Sequence, residues 1–165
     1  MRLFIVSNFS IAEFQSLLQN VTNLITGQAL NKSLEQQLNN EFSPSSKLFA
    51  AIVDACHAGI AAGAMCQHEA GGIKYGRVIK PTPELAGYSV DLVEMHDVKG
   101  PHHRHPLGEI DLIMPIDNNA KFDNRGAGWL VYGPDSSHSP TVTEGKALVL
   151  YLLPNGEIEF TRTAK

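Results

Sequence analysis

The sequence predicts a mainly β fold with a helical N-terminal region, in the antiparallel β-sandwich, jelly-roll or small β-barrel class. Three observations predict it. Apolar residues recur at three-and-four spacing between Phe14 and Ile60, they fall into short strand-length runs from Tyr75 onward, and turn residues rather than crossover helices separate those runs. The composition changes at Gly71-Gly72, which divides a helical extension (1–70), packed on the barrel, from a β-barrel (71–165).

Ser10 with Glu13 three residues on forms a capping box, and Phe14, Leu17, Leu18, Val21, Leu24 and Ile25 continue it as an amphipathic helix ending near Gly27. Leu30, Leu34 and Leu38 mark a second, short helix. Ser43-Pro44 reads as an N-cap with proline in the first turn, opening a third helix through Phe49, Ile52, Val53, Cys56 and Ile60. The strand runs are 88–95, 109–116, 128–133, 146–153 and 158–163. Asp117-Asn118-Asn119, Asp123-Asn124-Arg125-Gly126 and Pro154-Asn155-Gly156 supply the turns between them. Ala147 to Leu153 is apolar on both faces, which predicts a central strand covered by the helices on its outer side.

The 165 residues suffice to bury a core without disulfides, and Cys56 and Cys66 are too few for a disulfide framework. Two isolated thiols fit a reducing, cytoplasmic compartment. The net charge of -4 argues against nucleic acid and anionic membrane as partners and favours a small molecule. Met1 to Val6 is too short an apolar run for a signal core, and no apolar stretch reaches the roughly 20 residues of a membrane span. Exposed sheet edges and the apolar face of the first helix are compatible with a homodimer.

The chemistry is concentrated in His102-His103-Arg104-His105-Pro106-Leu107-Gly108-Glu109 and in Pro134-Asp135-Ser136-Ser137-His138. On an extended strand His103 and His105 point one way, while His102 and Arg104 point the other. Two imidazoles therefore converge. Pro106 and Gly108 interrupt the strand, so spacing alone leaves open whether Glu109 joins the pair, and His138 has to arrive from a separate hairpin. Imidazole nitrogen and carboxylate oxygen suit one divalent transition metal, whether iron, manganese, nickel or zinc, and the absence of cysteine ligands removes the preference for a structural zinc site. Solvated loop histidines are the competing reading, and the two-part pattern weighs against it.

These segments resemble the two motifs of the cupin superfamily, whose members are double-stranded β-helix barrels. His103-Arg104-His105 with Glu109 matches the first motif, and Pro134 with His138 the second. The departures are Asp97 and Ile116 at common glycine positions, Ser136 for a middle glycine and Val142 for a closing asparagine. Over about residues 75–160 the resemblance implies His103, His105, Glu109 and His138 as metal ligands. A narrower resemblance is to the 4-hydroxylaminobenzoate lyases, small bacterial cupins with a helical N-terminal portion. It is carried by Lys74 to Pro81, Gly100 to Ile110, Gly126-Ala127-Gly128-Trp129 and Tyr151-Leu152-Leu153-Pro154. It implies conversion of 4-hydroxylaminobenzoate to 3,4-dihydroxybenzoate with release of ammonia.

That reaction has no net redox change, so a Lewis acid and a proton donor would both assist it. If 88–96 is a regular strand, Tyr88, Val90, Leu92, Glu94 and His96 share a face, which would carry Glu94 and His96 inward as catalytic candidates; a solvated strand end is the competing reading. His57 and His68 fall on helical segments and read as structural. A small aromatic carboxylate substrate needs a cation and flat apolar walls, for which Arg77, Lys80, Trp129 and Tyr132 are the candidates, Arg77 being the better clamp because its fork binds both oxygens; surface salt bridging of the two cations and core packing of Trp129 are the competing readings. Arg125 reads as a turn residue. Two other functions share the ligand set: an iron-dependent aromatic-ring oxygenase, which oxygen consumption would separate, and a non-catalytic ligand-binding cupin. Nucleophilic catalysis by Cys56 or Cys66 is the least attractive, since neither lies near a histidine in a recognisable arrangement.

Overall fold

The computed structural model describes residues 9–161, so the reading of Met1 to Val6 and the end of the 158–163 run lie outside the described residues. Three helices come first. In α1 (Ile11–Ile25) the Ser10 hydroxyl caps the N-terminus by accepting the Glu13 N–H at 3.2 Å, and Phe14, Leu18, Val21 and Ile25 face inward. In α2 (Lys32–Glu41) Asn31 is the cap, accepting the Leu34 N–H at 3.0 Å, and Leu34 and Leu38 are buried. The cap of α3 (Lys47–Ala61) is Ser46 and not Ser43. The Ser43 carbonyl accepts both the N–H and the hydroxyl of Ser46, at 2.8 and 2.7 Å, and this extra turn moves the helix start beyond Pro44.

The helical reading also ran too far toward Gly71. α3 ends at Ala61, and His68 lies on a strand, β1 (His68–Ala70), paired with β2 (Ile73–Ile79). Gly71 (φ 59°) and Gly72 (φ 80°) both occupy the left-handed region, the requirement of a two-residue hairpin turn, so the composition change marks a hairpin. The other strands are β3 (Tyr88–Lys99), β4 (His103–His105), β5 (Glu109–Pro115), β6 (Lys121–Phe122), β7 (Gly128–Tyr132), β8 (Ser136–His138), β9 (Thr141–Pro154) and β10 (Glu159–Phe160).

Among the described residues all strand pairings are antiparallel and form two separate sheets rather than one closed barrel. The larger runs β1-β2-β3-β9-β5-β7, with β6 also on β9; the smaller runs β10-β4-β8. β9 is central, between β3 and β5, which accounts for its two apolar faces. Leu148, Leu150 and Leu152 pack with Phe14, Leu18, Leu34 and Ile52 of the helices, while Ala147, Val149, Tyr151 and Leu153 join Val93, Met95, Ile113 and Phe122 on the opposite face. Among the described residues no helix is long and apolar enough to cross a membrane.

Helix α2 completes the edge of the large sheet with side chains. Asn39 accepts the Trp129 N–H at 2.8 Å and donates to the Trp129 carbonyl at 2.9 Å, as a neighbouring strand would. Four residues earlier Glu35 accepts the Val131 N–H at 2.9 Å, so one helical turn matches a two-residue strand step. Gly128 makes the approach possible, because a Cβ there would lie 2.8 Å from Asn39 Oδ1. Arg125 is tied to the same helix through Glu35 Oε2, at 3.2 Å.

Candidate metal centre

The second face of the large sheet looks toward the small sheet, and the histidines come from the small sheet. Strand alternation places His103 and His105 of β4 inward and Arg104 outward, where it pairs with Asp135 at 2.5 Å and Glu159 at 2.8 Å. His102, two residues before Arg104, bonds to Thr161. β8 is registered on β4 so that His138 faces His103 directly. Glu109 arrives by a turn: the Gly108 N–H donates to the His105 carbonyl at 3.2 Å and Gly108 adopts φ 96°, sending the chain from the small sheet into β5 of the large one. A Cβ at Gly108 would meet Leu30 Cδ2 at 2.7 Å and the Tyr132 carbonyl at 2.8 Å, so only glycine fits.

The result is a cluster of one ligand atom each from His103, His105, Glu109 and His138, all within 4.8 Å of one another. His138 Nε2 is 3.1 Å from His103 Nε2 and 3.6 Å from Glu109 Oε2; His105 Nε2 is 3.1 Å from Glu109 Oε1. Both Glu109 oxygens and His105 Nε2 are buried without a well-aligned hydrogen bond. Buried acceptor atoms converging on one point are costly for a protein alone, and a cation resolves that cost. The donor set of three imidazoles and one carboxylate could therefore hold a divalent transition metal.

Burial pushes the Glu109 carboxyl upward, but the adjacent His103 and His105 imidazoles and Asp111 outweigh it and hold Glu109 below the usual carboxylate range, hence ionised. Asp111, on the same face of β5, is pushed well above the usual range by burial and by the charge of Glu109, hence neutral. Asp123 accepts from Tyr132 O–H at 2.5 Å, from the Thr141 N–H at 3.0 Å and from His138 Nδ1 at 2.6 Å. Those bonds outweigh its burial and keep Asp123 below its ordinary range.

Beside the cluster lies a cavity of about 420 Å³ whose wall includes His103. Ile73, Val93, Met95, Tyr151 and Phe160 make it apolar, and Arg77 and Asp91 add charge. Arg77 Nε and Nη2 bond to Asp91 at 2.8 and 3.2 Å, and Nη2 also reaches the Gly156 carbonyl at 3.3 Å. The Phe160 ring stands 5.6 Å from that of His103.

The other candidate residues fall elsewhere, apart from Tyr132. The face of β3 shared by Tyr88, Val90 and Leu92 packs on the helices, so Glu94 points away from the cluster, toward Cys66 and Lys146. The inward residues of β3 are Asp91, Val93 and Met95. His96 is 61% exposed beside a bulge at Asp97, so the expectation that Glu94 and His96 enter the interior is corrected by one step of strand parity. Lys80 is exposed and outside the cavity wall. Trp129 is 1% exposed in the core on the helix side, its Nε1 donating to the Phe42 carbonyl at 2.9 Å. Tyr132 does reach the cluster, its ring centroid 4.5 Å from that of His138 and 5.4 Å from that of His105, but its hydroxyl is spent on Asp123. Asp123, which lies in a turn-rich run, and Ser136, Asp111 and Asp91 stand at the site without a sequence pattern that singles them out. The inward parity of Asp111 with Glu109 was the one available signal.

A family model described as 4-hydroxylaminobenzoate lyase (PnbB) matches residues 16–160. A 4-hydroxylaminobenzoate lyase from Nocardioides sp. (strain LMS-CY) is 29% identical over 150 residues, covering 86% of this chain and 89% of that protein. One from Pseudomonas putida is 28% identical over 153 residues, covering 82% and 87%. Among solved structures, an RmlC-like cupin protein from Ralstonia eutropha superposes with a TM-score of 0.44 at 11% identity, covering 59% of this chain and 65% of that one.

Proposed function

The chain belongs to the 4-hydroxylaminobenzoate lyase family, and on that premise we propose that it converts 4-hydroxylaminobenzoate and water to 3,4-dihydroxybenzoate and ammonia at a divalent metal held by His103, His105, Glu109 and His138. The observation that carries the metal part is the set of buried, unpartnered lone pairs on Glu109 and His105. Atoms balance: the N–O and C–N bonds and one ring C–H bond break, two ring C–O bonds form, and nitrogen leaves with the electrons that the ring gives up. No external oxidant or reductant is needed. A bound divalent ion supplies Lewis acidity at the hydroxylamino end of the substrate.

The chain's own residues bind and orient. The Arg77 guanidinium, in the cavity wall and held by Asp91 and the Gly156 carbonyl, suits the substrate carboxylate. The apolar walls contributed by Val93, Tyr151 and Phe160 suit the ring, and His103 in the same wall would set the opposite end of the substrate toward the cluster. Ionised Glu109 offsets the charge of the ion. Purified protein of known metal content, incubated with 4-hydroxylaminobenzoate without oxygen, should release ammonia and 3,4-dihydroxybenzoate in equal amounts. Turnover only with oxygen would favour an oxygenase, and no turnover with any of iron, manganese, nickel or zinc would remove this substrate.

A further inference from the structure

We propose that Asp123 is a positioning residue that fixes the tautomer of His138, and thereby the tightness with which the cluster takes up a divalent metal. This rests on the metal reading above and adds a residue outside the four-residue set. Asp123 follows β6 in a left-handed turn conformation, φ 49°, that aims its carboxylate at three donors. Oδ1 receives the Thr141 N–H at 3.0 Å, and Oδ2 receives the Tyr132 hydroxyl at 2.5 Å. The third contact, His138 Nδ1 at 2.6 Å from Oδ2, has one consistent assignment. Both carboxylate oxygens already accept, Oδ1 from the Thr141 N–H and Oδ2 from the Tyr132 hydroxyl, so Nδ1 is the donor in this contact and Nε2 is the atom left to offer a lone pair to a metal. Nε2 is the atom that faces His103 and Glu109.

A second, independent device produces the same tautomer at His105. The single Ser136 hydroxyl proton goes to the Gly133 carbonyl at 2.6 Å, so Ser136 Oγ can only accept from His105 Nδ1, at 2.8 Å. His105 Nε2 then presents its lone pair to the cluster as well. Tyr132 serves both, its ring lying against the two imidazoles while its hydroxyl holds Asp123. Partners of this kind orient a ring and raise its basicity, and their loss typically weakens metal binding about 10- to 100-fold.

Asp123→Asn is the informative variant, because the amide oxygen keeps the Thr141 bond while the amide nitrogen offers a donor where His138 needs an acceptor. Long-range proton–nitrogen spectra of metal-free, histidine-labelled protein at pH 8 should show both His138 and His105 protonated on Nδ1. In Asp123→Asn, His138 should move its proton to Nε2 while His105 stays unchanged, and zinc affinity by chelator competition should fall about 10- to 100-fold. His138 protonated on Nε2 in the wild-type protein overturns the proposal without recourse to any variant. So does Asp123→Asn protein that binds zinc as tightly as wild type. Wild-type protein that takes up no divalent ion removes the metal reading and this proposal with it, whereas the first two results leave the metal reading standing.

Discussion

Arg77→Met removes the cation from the cavity wall and keeps an unbranched apolar stem. The Arg77–Asp91 pair, at 2.8 Å, has side chains 35% and 16% exposed, so solvent screens it and its loss should cost the fold under about 1 kcal/mol. A substrate carboxylate on the same guanidinium is a charge-assisted bond, worth about 1.5–3 kcal/mol if the bound ring covers the site from solvent. That corresponds to a loss of about 10- to 150-fold in kcat/KM. On the proposed clamp Arg77 would meet the end of the substrate remote from the reacting nitrogen, so most of the loss should appear in KM. Asp91, left without its partner, opposes the carboxylate further, and Arg77→Met/Asp91→Asn should recover part of the loss. Steady-state ammonia release is the assay, with hydroxylaminobenzene, which has no carboxylate, as the comparison substrate. An equal loss with both substrates, or no loss with 4-hydroxylaminobenzoate, refutes the clamp.

Asn39→Ala should lower stability by about 2–4 kcal/mol, since it leaves the buried Trp129 N–H and carbonyl without partners. At this chain length that is roughly a 5–15 °C fall in Tm by calorimetry. Burial pushes the Cys66 thiol up from 9.0 to about 12, so the folded chain keeps a proton that the unfolded chain releases. Stability from this group is therefore complete below about pH 9 and is lost as pH rises toward 12, and Cys66→Ala should show a shallower fall of Tm between pH 8.5 and about 10.5 than wild type. The same shift predicts at least ~10-fold slower reaction of Cys66 with a disulfide reagent at pH 8 in native than in denatured protein, the smaller thiolate population outweighing its greater nucleophilicity.

The fold was legible where local chemistry decides it. Capping and periodicity placed α1, and the doubly apolar run of β9 announced a central strand under helices. The features that escaped depend on which side of a sheet another element covers. Tyr88, Val90 and Leu92 do share a face with Glu94, but an apolar face packed on helices and one packed on a second sheet have the same pattern, so Glu94 was turned the wrong way. Gly71-Gly72 was visible as a break and not as a hairpin, because a boundary and a tight turn use the same residue. At the site, strand alternation brought His103 and His105 together, whereas the entry of Glu109 depends on a left-handed glycine whose conformation no spacing reveals. Asp123 sits in a turn-rich run and approaches His138 only through sheet pairing, as Asn39 and Glu35 approach β7 only through tertiary packing.

The most direct measurement is anaerobic ammonia release as a function of bound metal, in protein stripped by a chelator and reloaded stepwise, with Glu109→Gln alongside. Activity should vanish on stripping, return in proportion to metal up to one ion per chain, and fall together with metal content in Glu109→Gln. Full turnover by metal-free protein would contradict a metal-dependent lyase centre on His103, His105, Glu109 and His138.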